Sequence, residues 1–157
     1  MSLALREARM SDAELLWRWA NDRETRQNSF SKAAIPYADH VAWLERRLAS
    51  DATRIWIFSD AEVPVGQVRF DISDEVAEVG ITVAPEQRGR GYAEAMLRQA
   101  VARLCEERGE RVRPQAFVFA HNAASLRLFR ACGFEEVATV RRDGEPVIVL
   151  ELTSMVS

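Results

Sequence analysis

The apolar pattern of this chain changes period at one place in its middle, and the change falls on a turn that holds two glycines. Residues 76–83 (VAEVGITV) alternate as a strand does, whereas Ala93, Met96, Leu97, Ala100, Val101 and Leu104 recur at the three- and four-residue spacings of an amphipathic helix ending near Gly109. Between them stands Pro85-Glu86-Gln87-Arg88-Gly89-Arg90-Gly91-Tyr92-Ala93. Glycine admits positive φ and close backbone approach, and the free N–H groups of a first helical turn add the positive end of the helix dipole. Such a strand-to-helix turn suits an anion, and pyrophosphate is the obvious guest.

The flanking sequence predicts a mixed chain. Residues 54–59 (RIWIFS) and 65–72 (VGQVRFDI) are short, β-branched and aromatic, and with 76–83 they read as an antiparallel meander. Upstream, residues 3–8 alternate well enough for a first strand. Ser11 and Glu14 have the spacing of a capping box, opening a helix through Leu15, Leu16 and Trp19 that fades near Asn21. Residues 21–35 are polar with no sustained period, a natural place for a substrate loop. Pro36 then begins a second helix with Val41, Leu44 and Leu48 on one face. Downstream come a strand over 115–119, a helix over 123–132 stopped by Gly133, and closing strands near 137–140 and 147–152.

Composition narrows the function class. At 157 residues, with 48% apolar and 29% charged side chains and no repeat or Gly/Ser-rich linker, the chain reads as a single domain over residues 1–157. A net charge of −3 argues against a nucleic-acid or acidic membrane partner. Twenty of the 21 basic residues are arginine, which suits bidentate phosphate contacts. Cys105 and Cys132 form no CxxC pair and stand beside only two histidines, so no metal site is expected. No apolar run reaches the roughly 20 residues a bilayer requires, and Arg6, Glu7 and Arg9 occupy the N-terminus, so a cytoplasmic location is expected.

The glycine turn fails two common phosphate patterns. It has no Gly-Lys-Ser/Thr, and Glu94 stands where a dinucleotide fingerprint needs its third glycine. It resembles instead the Arg/Gln-x-x-Gly-x-Gly/Ala loop of the GCN5-related N-acetyltransferases (GNAT), through Arg88-x-x-Gly91-x-Ala93. About thirty residues on, Asn122-Ala-Ala-Ser125, Phe129 and Gly133-Phe134 are similar to that family's Asn-x-x-Ala/Ser helix ending in Gly-Phe. The resemblance implies an α+β GNAT fold, a mixed, mostly antiparallel central sheet of about seven strands flanked by about four helices. It also implies acetyl-CoA as donor and an N-acetyltransferase without a metal. The backbone amides of Arg88, Gly89, Arg90, Gly91, Tyr92 and Ala93 would hold the pyrophosphate. The backbone of Ile81, Thr82 and Val83 would pair with the pantetheine arm, flanked by Asn122 and Ser125.

Acetyl transfer needs a neutral amine, and with an amino pKa near 7.7 to 8.0 only about a tenth is neutral at pH 7. Glu78 resembles the glutamate that many family members use as base, and the exposed strand carboxylate is the equally weighted alternative. Where many relatives carry a tyrosine that protonates the departing thiolate, this chain has Phe129, which donates no proton.

A narrower resemblance lies in Leu15-Leu-Trp-Arg-Trp-Ala-Asn-Asp22, Asn28-Ser-Phe-Ser31, Ile35-Pro and His40-x-x-Trp43-Leu, which are similar to acetyltransferases of pseudaminic acid biosynthesis. It implies a nucleotide-linked amino sugar as acceptor, bordered by Arg18, Asn21, Asn28, Ser29, His40 and Trp43. The same pattern resembles, more loosely, transferases acting on protein N-termini, and a non-catalytic acetyl-CoA-binding module is the third reading. Arg18 and Asp22 also have the spacing of an i,i+4 surface pair. A homodimer is compatible with the sequence but not indicated by it.

Overall fold

A computed structural model describes residues 2–153; residues 1 and 154–157 of the single-domain span lie outside the described part. The chain order is β1 (Leu3–Glu7), α1 (Ala13–Ala20), α2 (Arg23–Gln27), α3 (Tyr37–Leu48), β2 (Thr53–Asp60), β3 (Val63–Ser73), β4 (Val76–Val83), α4 (Tyr92–Arg108), β5 (Arg113–Phe119), α5 (Ala123–Ala131), β6 (Glu135–Arg142) and β7 (Glu145–Glu151). The strands form one seven-stranded sheet in the order β1-β2-β3-β4-β5-β7-β6. Every neighbouring pair is antiparallel except β4 and β5, which are parallel.

Strand alternation sends each side chain to one of two layers. Trp56, Phe58, Val68, Phe70, Ala77 and Val79 point to the face covered by α4 and α5, where Met96, Leu97 and Leu104 meet them fully buried. Each such large side chain contributes about 1.5 to 3 kcal/mol of burial. Ile55 and Ile57 point the other way, under Leu16, Trp19 and Leu44 of α1 and α3. The polar residues of β3 and β4 share that second face and form the floor of the site.

Two details of the N-terminal third differ from the sequence reading. The Ser11/Glu14 capping box does not form. A 3-10 turn at Met10–Asp12 precedes α1, and the Asp12 carboxylate accepts from the Arg9 amide at 2.8 Å and from both terminal nitrogens of Arg6 at 2.8 Å. The segment 21–35 is also not wholly irregular. Asp22 caps the short helix α2 by accepting from the Thr25 amide at 3.3 Å, so the described residues hold this short helix beside the four longer ones expected.

The Arg6 hydrogen bonds hold the Asp12 carboxyl below the usual carboxylate range, against the opposing effect of burial. A carboxyl depressed in the folded state contributes stability that is complete above its unfolded pKa of about 3.9 and is lost as pH falls through the folded value. Asp12→Asn is therefore expected to cost about 1 kcal/mol at pH 7, modest because Arg6 is partly solvated. Urea denaturation of both proteins at pH 7 and below pH 3 checks this, and the gap should narrow at the acid end.

Candidate active site

The parallel pair β4 and β5 is joined at only three positions, Val76 with Arg113, Ala77 with Pro114 and Glu78 with Gln115. Both strands run on, β4 to Val83 and β5 to Phe119, without further pairing between them. On its other side β4 stays paired with β3 along its whole length. The sheet therefore opens as a wedge with Glu78 at its apex. Residues 79–83, including the predicted Ile81, Thr82 and Val83, present backbone groups along one side of that wedge without a ladder to β5.

The glycine turn closes the wide end. The Ala84 amide donates to Val65 O at 2.8 Å, Pro85–Gln87 make a single 3-10 turn, and Gly91 caps α4 at φ 80°. Gly89 has φ 77°, and a Cβ built on it meets nothing within 4 Å. Among the described residues no protein acceptor receives the amides of Gly89, Arg90 or Gly91. Three unpartnered donors at the N-terminus of a long helix fit an anionic group such as a pyrophosphate.

Two side chains of the turn are occupied elsewhere. The Arg88 guanidinium pairs with Asp22 at 2.5 Å and Glu24 at 2.9 Å, tying the turn to α2. Burial pushes Asp22 up, but the hydrogen bonds from Arg88 and the Thr25 amide outweigh it and hold the carboxyl low. The buried Tyr92 phenol donates to Asp60 at 2.6 Å, which raises its pKa and anchors the start of α4. The Arg88 amide, expected to face the anion, donates instead to Pro85 O at 3.5 Å as the end of the 3-10 turn, so Arg88 adds no free donor to the cradle and Tyr92 can add only its main chain. Asn122 follows β5 and caps α5, its Oδ1 accepting from the Ser125 amide at 3.2 Å, so both residues stand at the mouth beyond the end of β5.

On the α1 and α3 face the floor is a set of cross-strand rows. Asp71, Glu78 and Gln115 form one, Arg69 and Gly80 the next, Gln67 and Thr82 the third. Glu78 is exposed. Gly80 allows the Arg69 guanidinium to cross it, since a Cβ there would lie 3.2 Å from Nη2. Asp71 is held by Arg47 at 2.7 Å, Arg69 at 3.0 Å and Thr53 at 3.3 Å.

Above the second and third rows lies a cavity of about 40 Å³, lined by Leu16, Trp19, Ala20, His40, Trp43, Ile55, Gln67, Arg69 and Thr82. His40 is only 5% exposed, and its Nε2 has no hydrogen-bond partner. Burial lowers its pKa, so the ring is neutral at pH 7. Of the six predicted acceptor residues, the structure brings His40 and Trp43 to this wall. The others do not join it. Asn21 clamps Ile35 by both amide groups, accepting from N at 2.7 Å and donating to O at 2.9 Å. Ser29 donates to Thr25 O at 2.6 Å, and Arg18 and Asn28 are exposed.

Phe129 is 3% exposed and packs edge-on against Phe134 with ring centres 5.1 Å apart, a core residue as its chemistry implies. The sequence reading missed Gln67 and Arg69, although their alternation with Val68 and Phe70 was the available signal. It also missed a cationic and aromatic cluster on the far side of the wedge. Phe30 meets Phe119 at 5.1 Å, Arg142 lies 4.1 Å over the Phe30 ring, and Lys32 lies 4.7 Å over Phe119. No residue spacing links these, because the long loop after α2 carries Phe30 and Lys32 across the sheet.

Residues 2–135 match the family model described as an acetyltransferase (GNAT) domain. The chain belongs to the GNAT acetyltransferase family. Solved structures share the whole fold. Spermidine N-acetyltransferase from Vibrio cholerae, in complex with CoA and spermine, is 20% identical, with a TM-score of 0.84 over 95% of this chain and 94% of that one. An N-acetyltransferase from Staphylococcus aureus Mu50 is 18% identical, with a TM-score of 0.80 over 97% and 98% of the two chains. An aminoglycoside acetyltransferase in complex with coenzyme A is 20% identical, with a TM-score of 0.80 over 96% and 94%. No curated protein matches the chain in sequence. Among the described residues no cluster of His, Cys, Asp or Glu could hold a metal ion, and no helix is long and apolar enough to cross a membrane.

Proposed function

We propose that this family member is an acetyl-CoA-dependent N-acetyltransferase acting on the primary amine of an anionic small molecule, a nucleotide-linked amino sugar. The observation that carries the reading is the wedge between β4 and β5 with three unpartnered amides at its wide end. Acetyl-CoA supplies an activated thioester. The amides of Gly89, Arg90 and Gly91 hold its pyrophosphate, and the open backbone of residues 79–83 pairs with its pantetheine arm. Glu78, at the apex, takes the proton that the attacking amine must lose. Phe129 offers no acid, and a thiol of pKa about 8.5 leaves as the anion without one.

The acceptor class rests on charge. Arg47 and Arg69 together outweigh Asp71, and Arg142 stands over Phe30, while Lys32 is paired with Glu145 at 3.0 Å. Phosphates complement that surface, whereas a polyamine meets like charge. Trp43 and Phe30, both partly exposed, offer apolar contact for a base or a deoxysugar. Thiol release from acetyl-CoA, measured across amino-sugar nucleotides, polyamines, aminoglycosides and N-terminal peptides, is expected to be at least tenfold faster with the nucleotide class. Faster release with polyamines or peptides overturns the acceptor. Retained acetyl-CoA binding without release from any amine favours the binding-module reading.

A further inference from the structure

The cross-strand row that holds Glu78 continues through Asp71 on β3 to Thr53 on β2. Neighbouring strands lie about 4.8 Å apart, so Thr53 stands about 10 Å from Glu78 along the row. Above Asp71 and Thr53, at the C-terminal end of α3, is an open cavity of about 320 Å³ whose other walls include Trp43, Arg46, Arg47 and Ser50. That volume is within the range of small-molecule sites. Trp43 also lines the small cavity beside His40, so the two spaces share a wall.

The charge of the larger cavity selects an anion. Its lining carries two guanidiniums and one carboxylate, and the carboxylate is already engaged. Asp71 Oδ1 accepts from Arg47 at 2.7 Å and Thr53 at 3.3 Å, and its Oδ2 accepts from Arg69 at 3.0 Å. The arginines keep donors to spare. Arg47 uses only Nη1 and Arg69 only Nε on protein acceptors, and the exposed Arg46 has no acceptor among the described residues. Trp43 holds two of these groups in place, with Arg47 5.7 Å and Arg69 5.2 Å from its ring centre. Arg46 and Arg47 stand in the last turn of α3, where a cation also offsets the helix dipole. That role does not account for Arg69, which reaches the same ring from β3.

We propose that this cavity is an anion subsite in which Arg46 and Arg47 hold the phosphates of the acceptor. The inference rests on the reading of the acceptor as a nucleotide-linked amino sugar, and it gives that molecule a direction. With the amine at Glu78, the sugar crosses Asp71 and the diphosphate enters the arginine cavity, away from Arg142 and Phe30. A planar guanidinium pairs with two phosphate oxygens at once, so two neighbouring arginines suit a diphosphate.

Inorganic pyrophosphate is the probe, titrated calorimetrically into protein saturated with CoA so that the glycine turn is already filled. Wild type is expected to bind it, and Arg46→Glu to bind it at least about fivefold more weakly at low salt, a difference that shrinks as salt is raised. Arg103→Glu makes the same charge change on α4, where Arg103 pairs with Glu106 at 3.6 Å, and should stay within about twofold of wild type. With an amino-sugar nucleotide as acceptor, Arg46→Glu should raise KM about fivefold and leave kcat within about twofold, because it holds the distal end and not the reacting atoms. Unchanged far-UV circular dichroism shows that the variants are folded. No pyrophosphate binding in wild type, or equal binding by Arg46→Glu, overturns the subsite. The acceptor reading fails separately. Pyrophosphate bound through Arg46 in a protein that acetylates no amino-sugar nucleotide supports the anion cavity and removes the nucleotide sugar. Turnover of the nucleotide sugar with a KM indifferent to Arg46→Glu keeps the acceptor and overturns this direction of binding.

Discussion

Replacing Gly91 with valine is expected to weaken acetyl-CoA binding about a hundredfold while the fold persists. Gly91 caps α4 at φ 80°, in the left-handed region. A residue with a Cβ pays roughly 1 to 2 kcal/mol to stay there, and a β-branched one has the least room to do so. The alternative is for the chain to relax, which turns the amides of Arg90 and Gly91 away from their common focus. A factor of ten in affinity corresponds to about 1.4 kcal/mol, so strain together with one misdirected amide accounts for the expected loss. The helix itself should hold, because the Tyr92 phenol on Asp60 and the buried Met96 and Leu97 fix its first turns independently. Gly89→Ala provides the graded comparison. Its Cβ enters open space, so only the φ of 77° opposes it, and a loss of about fivefold is expected. Isothermal titration with acetyl-CoA reads both, and wild-type affinity in Gly91→Val would remove this turn from the donor site.

The strand, glycine turn and helix were legible because they depend on local chemistry. A run of alternating residues, two glycines and a helical repeat specify a strand, a left-handed turn and an amide-rich helix start wherever they occur together, and Val76 to Leu104 folds that way. The wedge was not legible, since nothing in the composition of β4 or β5 states that their pairing stops at Glu78 and Gln115. The six residues expected to border an acceptor divided on the same principle. His40 and Trp43 project from a regular helix onto the sheet and arrive where their spacing sends them. Asn21 and Ser29 lie in a segment whose own backbone lacks regular partners. Their polar groups satisfy that backbone, Asn21 on Ile35 and Ser29 on Thr25, before any ligand arrives.

Glu78→Gln is expected to lower kcat about a hundred- to a thousandfold and to leave the acetyl-CoA dissociation constant within about twofold, the range for loss of a positioned base. The substitution keeps the shape of the side chain at the wedge apex and removes only its capacity to accept a proton. Turnover in the variant should continue to rise with pH beyond about 8, because the amine must then shed its proton to solvent before it can attack. Asp71 is the informative control, being the neighbouring carboxylate in the same cross-strand row. Its oxygens are engaged by Arg47, Arg69 and Thr53, so Asp71→Asn should release Arg69 and raise the acceptor KM without changing the shape of the pH profile. A catalytic carboxylate and a positioning one are thus separated by which parameter moves. If the Glu78 variant instead kept wild-type kcat and pH dependence, the proton would have to leave the amine without this side chain, and the apex of the wedge would serve only to set the angle between β4 and β5.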